Sequence, residues 1–134
     1  IAPVADETDL EAFVEVAAAV FGFPIDVARD LMAPEVVGVE GLAFLLGRVD
    51  GDPVACGQLV VSEDVAGVYT IGVREGHRER GIGEAMSWAV LERGSQVGCE
   101  VGVLQASEMG RSIYERMGFE PVVSYTHFRP EAQA

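Results

Sequence analysis

The sequence predicts an α/β domain: a mixed sheet with helices on its faces. Three observations carry this. In "TDLEAFVEVAAAVF", Leu10, Phe13, Val14, Ala17 and Phe21 recur at helical spacing. In "AFLLGRVDGDPVACGQLVV", two β-rich runs flank Asp50-Gly51-Asp52-Pro53, the mark of a hairpin. A strand-like run, a helical run and another strand-like run then follow in turn, as in a crossover between strands of one sheet.

The elements follow in order. Thr8 with Glu11 three residues later has the spacing of a capping box, so the first helix is expected to open there. "FGFP" breaks it, and a second short helix is expected from Ile25 to Met32, before Pro34. The hairpin supplies two strands, and a third is expected from about Gly67 to Val73 after the turn in "SEDVA". Ile82, Ala85, Met86, Ala89 and Val90 then mark a helix that faces a core and runs to about Arg93. "QVGCEVGVLQA" reads as a strand. "SEMGRSIYERMG" reads as a short helix with Ser107 as N-cap and Gly118 as its stop. "FEPVVSYTHF" is expected to close with one more strand, whose edge offers a route to a homodimer. The expected order is ααβββαβαβ, without repeats or linkers, so residues 1–134 read as a single domain.

Composition excludes several classes. The chain has 134 residues, 49% hydrophobic and 23% charged, which is globular rather than disordered. Charges and glycines interrupt every apolar run well short of a membrane span, and no signal peptide is visible. The net charge of −13 argues against nucleic acid, whose phosphates would be repelled. Cys56 and Cys99 sit in strand-like stretches and read as small buried hydrophobes of a reduced protein, which suits the cytoplasm. His77 and His127 do not make a metal site, so no metal is expected.

The charge is unevenly spread. Residues 1–73 hold 13 acids against Arg29 and Arg48. Residues 74–116 hold six arginines against seven acids, and there is no lysine anywhere. Arg74, Arg78 and Arg80 crowd into "VREGHRERGIGEAMSW" beside Gly81 and Gly83. A helix start leaves N–H groups without intrahelical partners and is the positive end of the helix dipole. Glycines let the main chain turn sharply and let a ligand approach. Flanking guanidinium groups add charge-assisted donors. The reading is a phosphate-binding loop that opens the helix near Gly83. A glycine-rich turn among solvated arginines would show the same residues. A Walker A loop is excluded, because it needs lysine. A dinucleotide fingerprint is excluded too: Met86 stands where a small residue belongs, and Gly81 follows Val73 by eight residues.

"HRERGIGEAM" resembles the pyrophosphate loop of the GNAT superfamily of acyl-CoA-dependent N-acetyltransferases, Arg/Gln-x-x-Gly-x-Gly/Ala, here Arg78-x-x-Gly81-x-Gly83. "SIYERMGF" resembles that family's second signature, a tyrosine followed by Gly-Phe, here Tyr114 and Gly118-Phe119. The element order matches from the first helix onward. The resemblance implies a mostly antiparallel sheet with helices on both faces and a splayed parallel strand pair. It implies that the family's first strand is absent or trimmed, in a chain that opens on Ile1. The sequence departs from the family at Ser107, where many members carry asparagine, and at Glu79, where glycine is common.

The resemblance further implies acetyl-CoA as cosubstrate, between the strand ending at Val73 and the one from about Val97 to Gln105. Main-chain groups of Ile71, Gly72 and Val73 would pair with the pantetheine arm. N–H groups of Arg80, Gly81, Ile82, Gly83 and Glu84 would hold the pyrophosphate, with Arg78 and Arg80 shaping the loop, Glu79 turning its carboxylate away where its own N–H binds, and Ser107 beside the cofactor arm. The expected reaction is direct attack of a primary amine on the thioester, through a tetrahedral intermediate. Val73 N–H is the candidate donor to the oxyanion. Tyr114 is the candidate that stabilises the leaving thiolate by hydrogen bond or donates its proton, since a tyrosine's reference pKa of about 10 lies above a thiol's of about 8.5. Glu63, Asp64 and Glu75, at the ends of the third strand, are the acids from which a base would come. Cys56 and Cys99 have no paired base in view. "FGFP" and Glu35 to Phe44 would line the acceptor side, whose acidity favours a cationic small-molecule or peptide amine. A non-catalytic acyl-CoA sensor, or a domain for another nucleotide, would share the loop.

Overall fold

The computed structural model describes residues 1–126, 128 and 130. Helix α1 spans Glu7–Phe21 and α2 spans Ile25–Leu31. Strands β2, Leu42–Val49, and β3, Asp52–Ser62, form the expected hairpin; β4 follows at Val65–Val73. Then come α3, Ile82–Gln96, β5, Val101–Leu104, and α4, Glu108–Met117. A strand of two residues, β1, Ala2–Pro3, pairs antiparallel with Leu46 and Leu45 of β2. The sheet runs in the order β1-β2-β3-β4-β5, antiparallel except for the parallel β4–β5 pair.

Local chemistry explains most boundaries. Asp50 and Gly51 have φ of 52° and 85°, both left-handed, so the hairpin turns in two residues with the twist that its strands need. Gly22, at φ 75°, ends α1 with its N–H on the Ala18 carbonyl. Ser107 caps α4, its hydroxyl accepting from Gly110 N–H at 3.2 Å.

Helices cover both faces. On one, Phe13, Val16 and Ala17 of α1 pack on Phe44, Leu46 and Cys56. The Phe13 and Phe44 rings meet edge to face at 5.2 Å, an arrangement contributing about 1 kcal/mol beyond its area burial. On the other face, Met86 and Val90 of α3 pack on Leu45, Ala55, Leu59 and Val68. Glycines let α3 lie close: a Cβ on Gly57 would stand 3.1 Å from Val90, and one on Gly94 would stand 2.7 Å from Ala66.

Three expectations are corrected. The N-cap of α1 is Asp6, whose carboxylate accepts from Asp9 N–H at 2.8 Å. Thr8 and Glu11 are therefore inside the helix, and Glu11 is drawn away to Arg29, 2.6 Å from its guanidinium. The strand expected from Val97 begins only at Val101, because α3 runs on to Gln96 and Gly98, at φ 98°, carries the turn. No strand forms among the described residues from 119 to 126, where the last strand was expected. Val122 is 90% exposed there, Pro121 has no N–H to give, and no ladder partner lies alongside. His127, in the same expected strand, lies outside the described residues.

Candidate functional site

The site grows from an unequal strand pair. β5 matches β4 only from Val65–Val101 to Val68–Leu104. β4 then continues to Val73 with no neighbour on that side among the described residues. Arg74 N–H donates to the Val54 carbonyl at 2.8 Å, and Ala55 stands opposite Val73. Antiparallel pairs alternate in the direction of their bonds, so the N–H and C=O of Val73 face away from β3, into the open side. The Ile71 side chain points to α3, within reach of Gly57. Gly72 faces α1, where a Cβ would come within 2.7 Å of Val20.

Beyond Val73 the loop folds into a cradle. Gly76, Glu79 and Gly81 all have positive φ, at 93°, 61° and 78°. A left-handed residue between right-handed ones turns successive N–H groups toward one point. Among the described residues, no protein carbonyl meets the N–H groups of Arg78 through Glu84; the first helical bond is Ala85 N–H to Gly81 carbonyl. Gly83 is open, with only Val73 Cγ2 at 3.7 Å from its notional Cβ. Glu79 therefore holds a conformation that glycine adopts without strain.

The arginines bind the loop to its surroundings. Arg74 Nε donates to the Pro53 carbonyl at 3.1 Å, and Arg78 Nε to the Val73 carbonyl at 3.0 Å. Arg80 lies 3.3 Å from His77 Nδ1. Glu84, in the first turn of α3, meets Arg116 of α4 at 3.7 Å. That contact brings α4 alongside the loop. Tyr114 is half-buried on α4, edge to face with Phe119 at 6.0 Å and lying over Gly110.

Other candidates fall elsewhere. Glu63 and Asp64 form the turn before β4, the full length of that strand from Val73, roughly 25 Å at the usual rise per residue. Of the three acids, Glu75 alone lies on the Val73 side, and it is exposed. Burial pushes the Cys56 thiol up to about 12, and its Sγ donates to the Thr70 carbonyl, so it is no nucleophile. Ser107 Oγ is engaged in capping α4. A surface depression of about 480 Å³ lies along Glu7, Thr8, Glu11, Ala12 and Glu15 and touches none of these groups. Among the described residues no cluster of His, Cys, Asp or Glu is placed to hold a metal ion. Among the described residues no helix is long and apolar enough to cross a membrane.

Sequence reasoning missed one feature, a bulge in β4. The ladder slips between Cys56 and Gln58, and Thr70 takes φ 57°. Its hydroxyl donates to Gln58 Oε1 at 2.9 Å. Gly57 on β3, opposite the extra residue, is the signal that could have found it, since glycine inside a strand often marks a bulge.

The fold thus offers a half-paired parallel strand whose free end leads into a loop of open N–H groups at a helix start. The sequence matches the family model described as acetyltransferase (GNAT) family over residues 13–119, and the chain belongs to that family. No curated protein matches the sequence. Among solved structures it is similar to AAC(6')-Iy in complex with a bisubstrate analogue, CoA-S-monomethyl-acetylneamine, with TM-score 0.81 and 19% identity over 98% of this chain and 97% of that one. It is also similar to the aminoglycoside 6'-N-acetyltransferase AAC(6')-IG from Acinetobacter haemolyticus, with TM-score 0.77 and 15% identity over 98% of each chain. A Trypanosoma brucei acetyltransferase shares TM-score 0.77 and 18% identity over 96% of this chain and 97% of that one. At these identities the likeness is one of fold.

Proposed function

We propose that this acetyltransferase moves an acetyl group from acetyl-CoA to a primary amine by direct attack, and that the residues around Val73, Gly81 and Tyr114 do the work. One observation carries the reading. The unpaired N–H of Val73 and the free N–H groups from Arg78 to Glu84 lie at consecutive points along one open path, strand end and then helix start. A pantetheine arm carries amide groups and ends in a diphosphate, so it matches that order of donors.

The residues present fit the ligand. N–H groups of the loop, with the dipole of α3 behind them, hold the diphosphate. The open edge at Ile71 and Val73 pairs with amides as an added strand would. Bound acetyl-CoA supplies an acyl carbon already activated toward amines. Val73 N–H is the donor that would steady the oxygen of that carbon as charge gathers on it. Tyr114 OH holds a proton for the departing sulfur. The acceptor enters from the side of α1 and "FGFP", in the half of the chain with 13 acids and two arginines, which favours a cationic amine.

The test is calorimetry with coenzyme A, ATP and NAD, followed by thiol release from acetyl-CoA across a panel of amines. Coenzyme A should bind at least tenfold more tightly than the other two, and at least one amine class should turn over. Equal or absent binding of coenzyme A overturns the reading; tight binding with no turnover leaves a sensor in its place.

A further inference from the structure

Thr70 is the residue of β4 that the ladder does not explain. Threonine is branched at Cβ and is ill suited to φ 57°, yet it holds that angle in mid-strand, where β4 has just parted from β5. Such strain persists only where the surroundings impose it, and it clusters at functional sites. Here both ends of the residue are held. Cys56 Sγ donates to its carbonyl at 3.2 Å, and its hydroxyl donates to Gln58 Oε1 at 2.9 Å.

That second bond fixes what the pair offers. The hydroxyl has spent its one proton, so Thr70 Oγ1 is left as an acceptor. The Gln58 amide nitrogen carries two N–H groups, and among the described residues neither has a protein acceptor. Both side chains are half-buried rather than sealed off. Gln58 lies on the face opposite to Gly57, which looks at Met86 and Val90 of α3; it is therefore on the α1 face, with Cys56. An acceptor and a donor thus stand side by side at the edge of an otherwise apolar face. Val73 is three residues further along the strand, about 10 Å. That span accommodates an acyl carbon and an attacking nitrogen in series.

We propose that the Gln58–Thr70 pair is the acceptor-recognition element and selects amines that carry an oxygen on the carbon next to the amine-bearing carbon, such as 1,2-amino alcohols and amino-acyl amides. The inference rests on the acetyl-transfer reading above. A neutral amine that keeps its lone pair for attack must direct an N–H elsewhere, and Thr70 Oγ1 accepts it. The neighbouring oxygen then accepts from Gln58 Nε2. The pair is uncharged, so it sets direction and does not itself choose the charge of the amine. The bulge is what brings the Thr70 hydroxyl within reach of Gln58, because it adds a residue opposite Gly57. Thr70 and Gln58 are substrate-binding residues in this scheme.

The experiment compares glycinamide with n-propylamine, scored by thiol release at saturating acetyl-CoA, with coenzyme A affinity measured alongside by calorimetry. The native enzyme should favour glycinamide at least tenfold in kcat/KM. Thr70→Val keeps the branched side chain and removes the hydroxyl; it should raise KM for glycinamide, abolish the preference and leave coenzyme A affinity unchanged. Thr70→Ser should restore the preference, and Gln58→Leu should lose it in the same way as Thr70→Val. Equal turnover of the two amines by the native enzyme, or no turnover of either, overturns the inference, as does a Thr70→Val enzyme that retains the preference. Loss of coenzyme A binding in the native protein would instead overturn the acetyl-transfer reading beneath it.

Discussion

The Arg78 guanidinium donates from Nε to the carbonyl of Val73 at 3.0 Å, tying the cradle loop to the strand end that precedes it. The carbonyl so engaged belongs to the residue whose N–H faces the open side of β4. The bond therefore holds two parts of the candidate site, the free strand edge and the free helix start, in one arrangement. A neighbouring bond, Arg74 to the Pro53 carbonyl, anchors the loop to the β2–β3 hairpin as well. Two of the three arginines gathered here, Arg74 and Arg78, thus organise main chain, while Arg80 faces the His77 ring.

Arg78→Ala should therefore weaken coenzyme A binding about tenfold, the equivalent of one lost charge-assisted bond of about 1.4 kcal/mol. Arg78→Gln retains a side-chain N–H of shorter reach and should lose less than half of that free energy. Calorimetry with coenzyme A reads both. Equal losses in the two variants would show that charge at the diphosphate, rather than the tie to Val73, is what Arg78 contributes.

Tyr114→Phe separates chemistry from binding. The ring packs on Phe119 and over Gly110, and phenylalanine keeps both contacts. The fold and coenzyme A affinity should be unchanged, while kcat falls at least about tenfold if the hydroxyl protonates the departing sulfur. Stopped assays of thiol release at saturating substrates give kcat directly. An undiminished kcat would assign Tyr114 to packing alone.

The parts of this molecule that depend on local chemistry were legible in the sequence. Gly81 marked the left-handed turn into α3, Ser107 and Gly118 bounded α4, and Asp50-Gly51 set the hairpin. The parts that depend on relations between strands were not. The open edge of β4 exists because β4 is longer than its contact with β5, and no residue in "CEVGVLQA" says that pairing stops at Leu104. The Thr70 bulge is equally a property of register. Val122, Val123 and Tyr125 have strand propensity, but propensity without a partner forms no strand. At α1, Asp6 and Thr8 are both good caps, and the choice falls to Asp6, which leaves Glu11 free for Arg29 and Asp9 for Arg48.

Gly94→Ala tests how tightly α3 lies on the sheet. In a helix interior alanine is favoured over glycine by about 1 kcal/mol. Here the added methyl would come within 2.7 Å of Ala66 Cβ, a group with no rotamer to yield. Overpacking costs about 1–3 kcal/mol, so the clash should outweigh the propensity. The urea midpoint should fall, with the m-value unchanged. A rise in the midpoint would mean that α3 can slide outward at little cost.

Asp9 predicts how the fold responds to acid. Its carboxylate accepts from Arg48 at 2.9 Å, pinning the first turn of α1 to the end of β2. That bond, with help from the Ala5 N–H, holds the Asp9 carboxyl below the usual range, and desolvation opposes it only partly. A group whose folded-state pKa is depressed adds stability above its unfolded value, near about 3.9, and loses it as pH falls through the folded value. Glu11 acts in the same direction, its carboxyl lowered first by the hydrogen bond from Arg29. Both pairs are exposed, so each effect is modest and screened by salt. Asp9→Asn should lower the melting temperature at pH 7 slightly and leave it nearly unaltered near pH 2. The gap between native and variant should close as pH drops from about 5 to 2. It should also narrow at pH 7 when salt is raised toward about 1 M, where charges are screened within a few ångströms. A gap that persists at pH 2 would mean that Asp9 acts through packing and capping of α1, with the Arg48 pair contributing nothing.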